Sequence, residues 1–189
     1  MNRTLICGDS FAADWTKQYP SKMGWVNWFD ADNVAQAGVS EYKILKQIES
    51  VQMSDYDSII VVHTSPYRVH TGKNPLHKNS VMHDSCDLIY SDLENSNSND
   101  PVVNAGLQYF KHIFDTEYYD DLYRLMFDKI KTLTGNKKTL HVTFFDVPVT
   151  VDKNFLPLFR KHRGDMNHLD EVGNRRVMEY VNEWLNNDC

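Results

Sequence analysis

The chain has 189 residues, with 26 acidic and 20 basic side chains for a formal net charge of −6. That length fits one domain, able to bury roughly 70% of its unfolded surface without cross-links. The acidic balance leaves no basic footprint to neutralise phosphates, which excludes nucleic acid as a partner, and no apolar run approaches membrane-spanning length. Three cysteines, Cys7, Cys86 and Cys189, are an odd number without metal-like spacing, so reduced thiols and a reducing compartment are expected. Met1 to Cys7 runs straight into an apolar segment with no room for a secretory signal, and the expected location is cytoplasmic.

In chain order, the first β-rich run is Thr4 to Cys7, closed by Gly8-Asp9-Ser10. A small residue at Gly8 lets a strand turn sharply. Ser10 then falls past the carboxyl end of the strand at the start of an expected helix, where open α/β sheets hold ligands and free N–H groups favour negative charge. Asp9 or Ser10 as a simple helix cap is the competing reading. A weaker run, Val34 to Ala37, precedes a one-sided apolar stripe in Glu41 to Val51, carried by Ile44, Leu45, Ile48 and Val51. The strongest strand signal is Ser58 to Thr64, followed by Ser65, Pro66, Tyr67 and Arg68.

From Tyr67 to about Asn104 no element is predicted, and the polar run Asp92 to Pro101 reads as loop. Such an excursion is either a substrate-gating loop or a plain surface detour. It holds His70, His77, His83, Asp84, Cys86 and Asp87, whose spacings match no metal motif, so no metal and no other cofactor is expected. Helical periodicity returns over Tyr109 to Leu133 with a break near Thr116, then a strand over Thr139 to Asp146 and a helix over Glu171 to Leu185. Among the aromatics, Trp15, Trp25, Trp28, Tyr118 and Tyr119 read mainly as core, whereas Tyr67 is the best candidate to face a ligand.

Strands alternating with amphipathic helices imply βαβ units, right-handed crossovers and a mainly parallel sheet. The fold class is therefore α/β, a three-layer α/β/α sandwich formed as one domain over residues 1–189 with a loop insertion at about 67–104. Near the end, Asp165 and His168 stand three apart just before the last helix, so a turn brings carboxylate to imidazole. Ser10, Asp165 and His168 together would make a catalytic triad.

With these residues in view, the chain resembles the SGNH (GDSL-like) hydrolases. Gly8-Asp9-Ser10 is similar to their first block and Asp165-Met166-Asn167-His168 to their last. Val34 to Ser40 is similar to the second block, whose glycine, here Gly38, gives an oxyanion N–H. Ile59 to Pro66 stands in place of the third block but departs from it, with His63 for its glycine, Ser65 for its oxyanion asparagine and Pro66 for its aspartate. The resemblance implies a flavodoxin-like sandwich and a serine esterase acting on small acyl esters, with acetyl groups on carbohydrate one plausible class. Ser10 would be nucleophile, His168 base and Asp165 its orienting acid. Ser10, Gly38 and Ser65 would form the oxyanion hole, with Tyr67 and Arg68 beside the substrate, and Asp9 reads as structural. An acyltransferase using the same triad and a non-catalytic binding module remain alternative readings.

Overall fold

The computed structural model describes residues 3–77, 80–83 and 86–187; Asp84 and Cys189 lie outside that range. Five strands form one all-parallel sheet: β1 (Thr4–Gly8), β2 (Ala31–Asn33), β3 (Ser58–His63), β4 (Lys138–Thr143) and β5 (Lys153–Asn154). Their spatial order is β2-β1-β3-β4-β5. The chain leaves β1 toward one edge and returns on its other side as β3, which creates a switch point between the carboxyl ends of β1 and β3.

The central strands alternate their apolar residues between two helical layers. Ile6, Ile60, Val62, Leu140 and Val142 face Trp25, Phe144, Phe155, Val177 and Val181, where helix α6 (Glu171–Asn186) packs. Leu5, Cys7, Ile59 and Val61 face Ile44, Leu45, Ile48 and Ile130, supplied by α1 (Glu41–Glu49) and α4 (Thr116–Thr134). Ile60 pairs in register with both Ile6 and Leu140 at the centre of the sheet, so Ile60→Ala would cost about 2–5 kcal/mol. Among the described residues the remaining α-helices are α2 (Tyr90–Glu94), α3 (Pro101–His112) and α5 (Leu156–Lys161). The three-layer sandwich inferred from the sequence is present. Among the described residues no helix is long and apolar enough to cross a membrane.

Several boundaries differ from expectation. The second strand is Ala31–Asn33 rather than Val34 to Ala37, although Val34 and Gln36 still donate their N–H groups to Ile6 O and Gly8 O at 3.0 and 3.1 Å. The helical segment expected from Tyr109 begins earlier, at Pro101, while its expected break near Thr116 is present: α3 ends at His112, and the Asp115 carboxylate accepts from Glu117 N and Tyr118 N and starts α4 at Thr116. The excursion is not wholly irregular either. It contains α2, and the Asp100 carboxylate caps α3 with Pro101 in its first turn. The excursion is tied back to the body through Asp87, which accepts from Ser40 N at 2.7 Å and Thr71 N at 2.8 Å and pairs with Lys43 at 2.8 Å.

Ser10 itself needs a correction. The expected helix does not begin there: residues 9–13 form a turn, and the next helical turn, a short 3-10 segment, opens at Trp15–Lys17 under an Asp14 cap. The cause is Asp9, whose carboxylate accepts from Phe11 N at 3.0 Å while its carbonyl accepts from Ala12 N at 3.0 Å. An aspartate satisfying its own downstream backbone competes with helix initiation. A helix-terminus field at Ser10 is thus absent from the arrangement.

Candidate active site

Two glycines shape the floor of the switch point. Gly8 ends β1 at φ +152°, where a Cβ would stand 2.7 Å from both Val62 Cβ and Val62 O, so only glycine allows β1 to approach β3 this closely while turning out of the sheet. Gln47 of α1 fixes that residue from above, accepting from Gly8 N at 2.8 Å and donating to Gly8 O at 3.0 Å. Gly38, at φ +73°, passes over Cys86, whose Sγ would lie 2.3 Å from an added Cβ. The close crossing lets the excursion lie against the loop before α1, and Asp87 N donates to Gly38 O at 2.9 Å.

Against Gly38 lies a cavity of about 490 Å³ whose lining includes Ser10, Gly38, Ser65, Tyr67, Arg68 and His168. The structure thus brings together every residue singled out from the sequence for the nucleophile, base, oxyanion and substrate roles. Asp165 is the exception, and lines a smaller recess of about 80 Å³ with Ser10, Trp15, Lys22 and His168. Its carboxylate is paired with Lys22 Nζ at 2.8 Å and its side chain is 83% exposed. That hydrogen bond and charge hold the Asp165 carboxyl below the ordinary carboxylate range. The link to the histidine that is seen is through the backbone, His168 N to Asp165 O at 3.1 Å, across the short 3-10 turn Asp165–Asn167.

His168 sits between rings. Trp15 meets it edge-on with centroids 4.9 Å apart, and Phe11 is tilted at 5.2 Å. Trp15 is in turn anchored by its indole N–H to Ser10 O at 2.9 Å. Indole, serine turn and imidazole therefore form one unit. Ser65 accepts at Oγ from Tyr67 N at 3.4 Å, which leaves its hydroxyl hydrogen to donate elsewhere. Tyr67 is exposed and packs edge-on against Phe114. Burial and the nearby Asp120 raise its phenol above the ordinary range.

Arg68 turns inward rather than toward solvent. Its Nη1 donates to Val39 O at 2.8 Å and its Nη2 to Asp9 Oδ2 at 3.1 Å, over the Phe145 ring. Asp9 is fully buried; burial pushes its carboxyl up, while Arg68 opposes that shift. Asp9 also accepts from Thr64 Oγ1 at 3.0 Å.

The opposite wall comes from the excursion and includes His77, His83 and Asp92. His77 contacts Asp92 at 3.4 Å and stacks on His83 with centroids 4.4 Å apart. Burial, aided by the neighbouring His77, lowers His83 to about 4, so it is a neutral hydrogen-bonding group at physiological pH. These rings stack rather than converge. Asp87 and Cys86 are engaged elsewhere, and among the described residues no group of three metal-ligating side chains could hold an ion. Asp92, Phe145 and Asn167 also line the cavity and were not singled out from the sequence. Asn167, one position before His168, sits at φ +65°, a conformation that asparagine tolerates better than most residues.

Fold and cavity together define the class: a parallel α/β/α sandwich with a serine and an imidazole at the switch point of its sheet. No family profile and no curated protein matches the chain. Among solved structures, the chain is similar to a crystal structure of a putative acylhydrolase from Bacteroides fragilis. The two are 9% identical over 98% of this chain and 86% of that one, with a TM-score of 0.42. It is also similar to a possible lipase from Chitinophaga pinensis, 12% identical over 75% of this chain and 48% of that one, with a TM-score of 0.32. At this degree of similarity neither speaks to activity.

Proposed function

We propose that the protein is a serine ester hydrolase of SGNH type. The observation that carries the reading is that Ser10, Gly38, Ser65 and His168, which come from four separate parts of the chain, line one cavity at the β1/β3 switch point. Ser10 Oγ attacks the ester carbonyl carbon, a C–O bond forms, and the carbonyl electron pair moves onto oxygen. His168 takes the serine proton. N–H groups of Ser10 and Gly38, with the Ser65 hydroxyl, face the oxyanion. Collapse expels the alcohol, which receives the proton from His168 and leaves Ser10 acylated. Water then repeats the sequence, releasing the acid and restoring Ser10 and His168.

Asp165 orients the imidazole once its carboxylate exchanges Lys22 for His168, and Tyr67 contacts the alcohol portion of the ester. The larger cavity offers Asp92, Ser91, His77 and His83 as hydrogen-bonding groups, a lining suited to a polar, hydroxyl-rich alcohol such as a sugar. A panel of acetyl esters, including acetylated oligosaccharides, should yield free acid with wild type and none above background with Ser10→Ala. Acid release that is equal in both proteins would end the proposal, and transfer to an added sugar in place of water would redefine it as an acyltransferase.

A further inference from the structure

The three segments that carry Ser10, Gly38 and Ser65 are far apart in sequence, yet one buried set of hydrogen bonds grips each of them within a residue of its functional group. Asp9 and Phe11 flank Ser10, and Asp9 Oδ1 accepts from Phe11 N at 3.0 Å. Val39 follows Gly38, and its carbonyl accepts from Arg68 Nη1 at 2.8 Å. Thr64 precedes Ser65, and its hydroxyl donates to Asp9 Oδ2 at 3.0 Å. Arg68 Nη2 closes the set by donating to that same Asp9 oxygen at 3.1 Å.

We propose that Arg68 is the positioning residue of the oxyanion site, joining the Ser10 turn, the Gly38 loop and the end of β3 through Val39 O and the Asp9 carboxylate. This rests on the ester-hydrolase reading above. The chemistry favours arginine at this position. One guanidinium presents N–H groups in a rigid planar fork, so Nη1 and Nη2 hold two segments at a fixed spacing that the point charge of a flexible ammonium does not set. Its charge also faces a carboxylate that has no exposure to solvent, and burial already pushes that carboxyl upward against the opposing arginine. Without Arg68, Asp9 would take up a proton or the turn would open.

From Thr64 the set continues into the interior. Glu41 Oε2 accepts from Thr64 N at 3.3 Å, Glu41 Oε1 contacts His63 Nδ1 at 2.6 Å, and His63 Nε2 contacts His141 Nδ1 at 3.0 Å. The departure at His63, where the SGNH pattern has glycine, fits this role: the imidazole reaches back to the start of α1 and holds Glu41 against the Thr64 peptide. The oxyanion donors are then braced from the sheet as well as from the cavity.

The test compares Arg68→Lys, Arg68→Met and Thr64→Val with wild type. It measures kcat and KM on a small acetyl ester, inhibition by an alkyl boronic acid that forms a tetrahedral serine adduct, and the melting temperature. Thr64→Val keeps shape and removes only the hydroxyl, so it carries the test if Arg68→Met does not fold. Expected is a loss of about tenfold or more in kcat and in boronate affinity for Thr64→Val and Arg68→Lys, with KM within about twofold. Folded variants with unchanged kcat and boronate affinity, or with KM alone altered, overturn the inference. A wild type that neither turns over esters nor binds the boronate overturns this inference and the hydrolase reading together. An active wild type with insensitive variants overturns this one alone.

Discussion

Gly38→Ala perturbs the site at its tightest crossing. At φ +73° an alanine pays the left-handed penalty of about 1–2 kcal/mol. Its Cβ would also stand 2.3 Å from Cys86 Sγ and 3.2 Å from Cys86 Cβ, and relieving such overpacking costs about 1–3 kcal/mol more. The expected total is about 2–5 kcal/mol, measured by urea unfolding at one temperature. Gly38→Ala with Cys86→Ala should recover the clash but not the backbone penalty, so a double-mutant cycle should show a coupling of about 1–3 kcal/mol. The cycle subtracts what Cys86 contributes through its own contacts with Asn74 and Asp87 O. Because the Gly38 N–H is a proposed oxyanion donor, ester turnover should fall with the single change and rise again with the double. A cost under about 1 kcal/mol, or additive changes, would refute the crossing as the reason for glycine.

Ser65→Ala should lower the acylation rate by about tenfold or more with the melting temperature unchanged, measured by stopped-flow release of the leaving group; an unchanged rate removes Ser65 from the oxyanion hole. Asp165→Asn should lower kcat by about a hundredfold or more, and Lys22→Met should leave Asp165 able to act while its carboxyl returns toward the ordinary range. Full activity in Asp165→Asn would leave a Ser10–His168 dyad. Burial and the neighbouring His63 depress His141 to about 3. Its contribution to stability is full above the unfolded pKa of about 6.5 and is lost as pH falls toward 3, with a slope of up to about 1.4 kcal/mol per pH unit. His141→Gln should flatten that acid limb in urea titrations; an identical limb would show that His141 protonates freely in the folded state.

What the sequence disclosed follows the strength of its local signals. β1 and β3 carry continuous apolar runs because both faces of a central parallel strand are buried, and β4, where Leu140 and Val142 alternate with His141 and Thr143, is legible from its β-rich composition. β2 reads Ala31-Asp32-Asn33 and β5 reads Lys153-Asn154; these edge strands are too short and polar to carry a period, and only pairing with β1 and β4 makes them strands. α5 is six residues long with Pro157 inside its first turn, so periodicity had little to act on. The blocks that carry Ser10 and His168 are local, and both residues line the cavity; the spacing of Asp165 and His168 predicted a carboxylate turned to the imidazole, whereas the carboxylate is paired with Lys22. The burial of Asp9 was not legible, since Thr64 and Arg68 meet its other carboxylate oxygen, Oδ2, from the end of β3 and beyond. Asp92 and Phe145 reach the cavity only through tertiary placement of the excursion and of the end of β4.

The central claim is that Ser10 is a nucleophile activated by His168. An alkyl fluorophosphonate should label the folded protein once, with peptide mass spectrometry placing the adduct on the peptide that contains Ser10. His168→Ala should cut the labelling rate by about a hundredfold or more while the melting temperature holds. Adduct at another serine, or labelling of His168→Ala at the wild-type rate, would contradict the account.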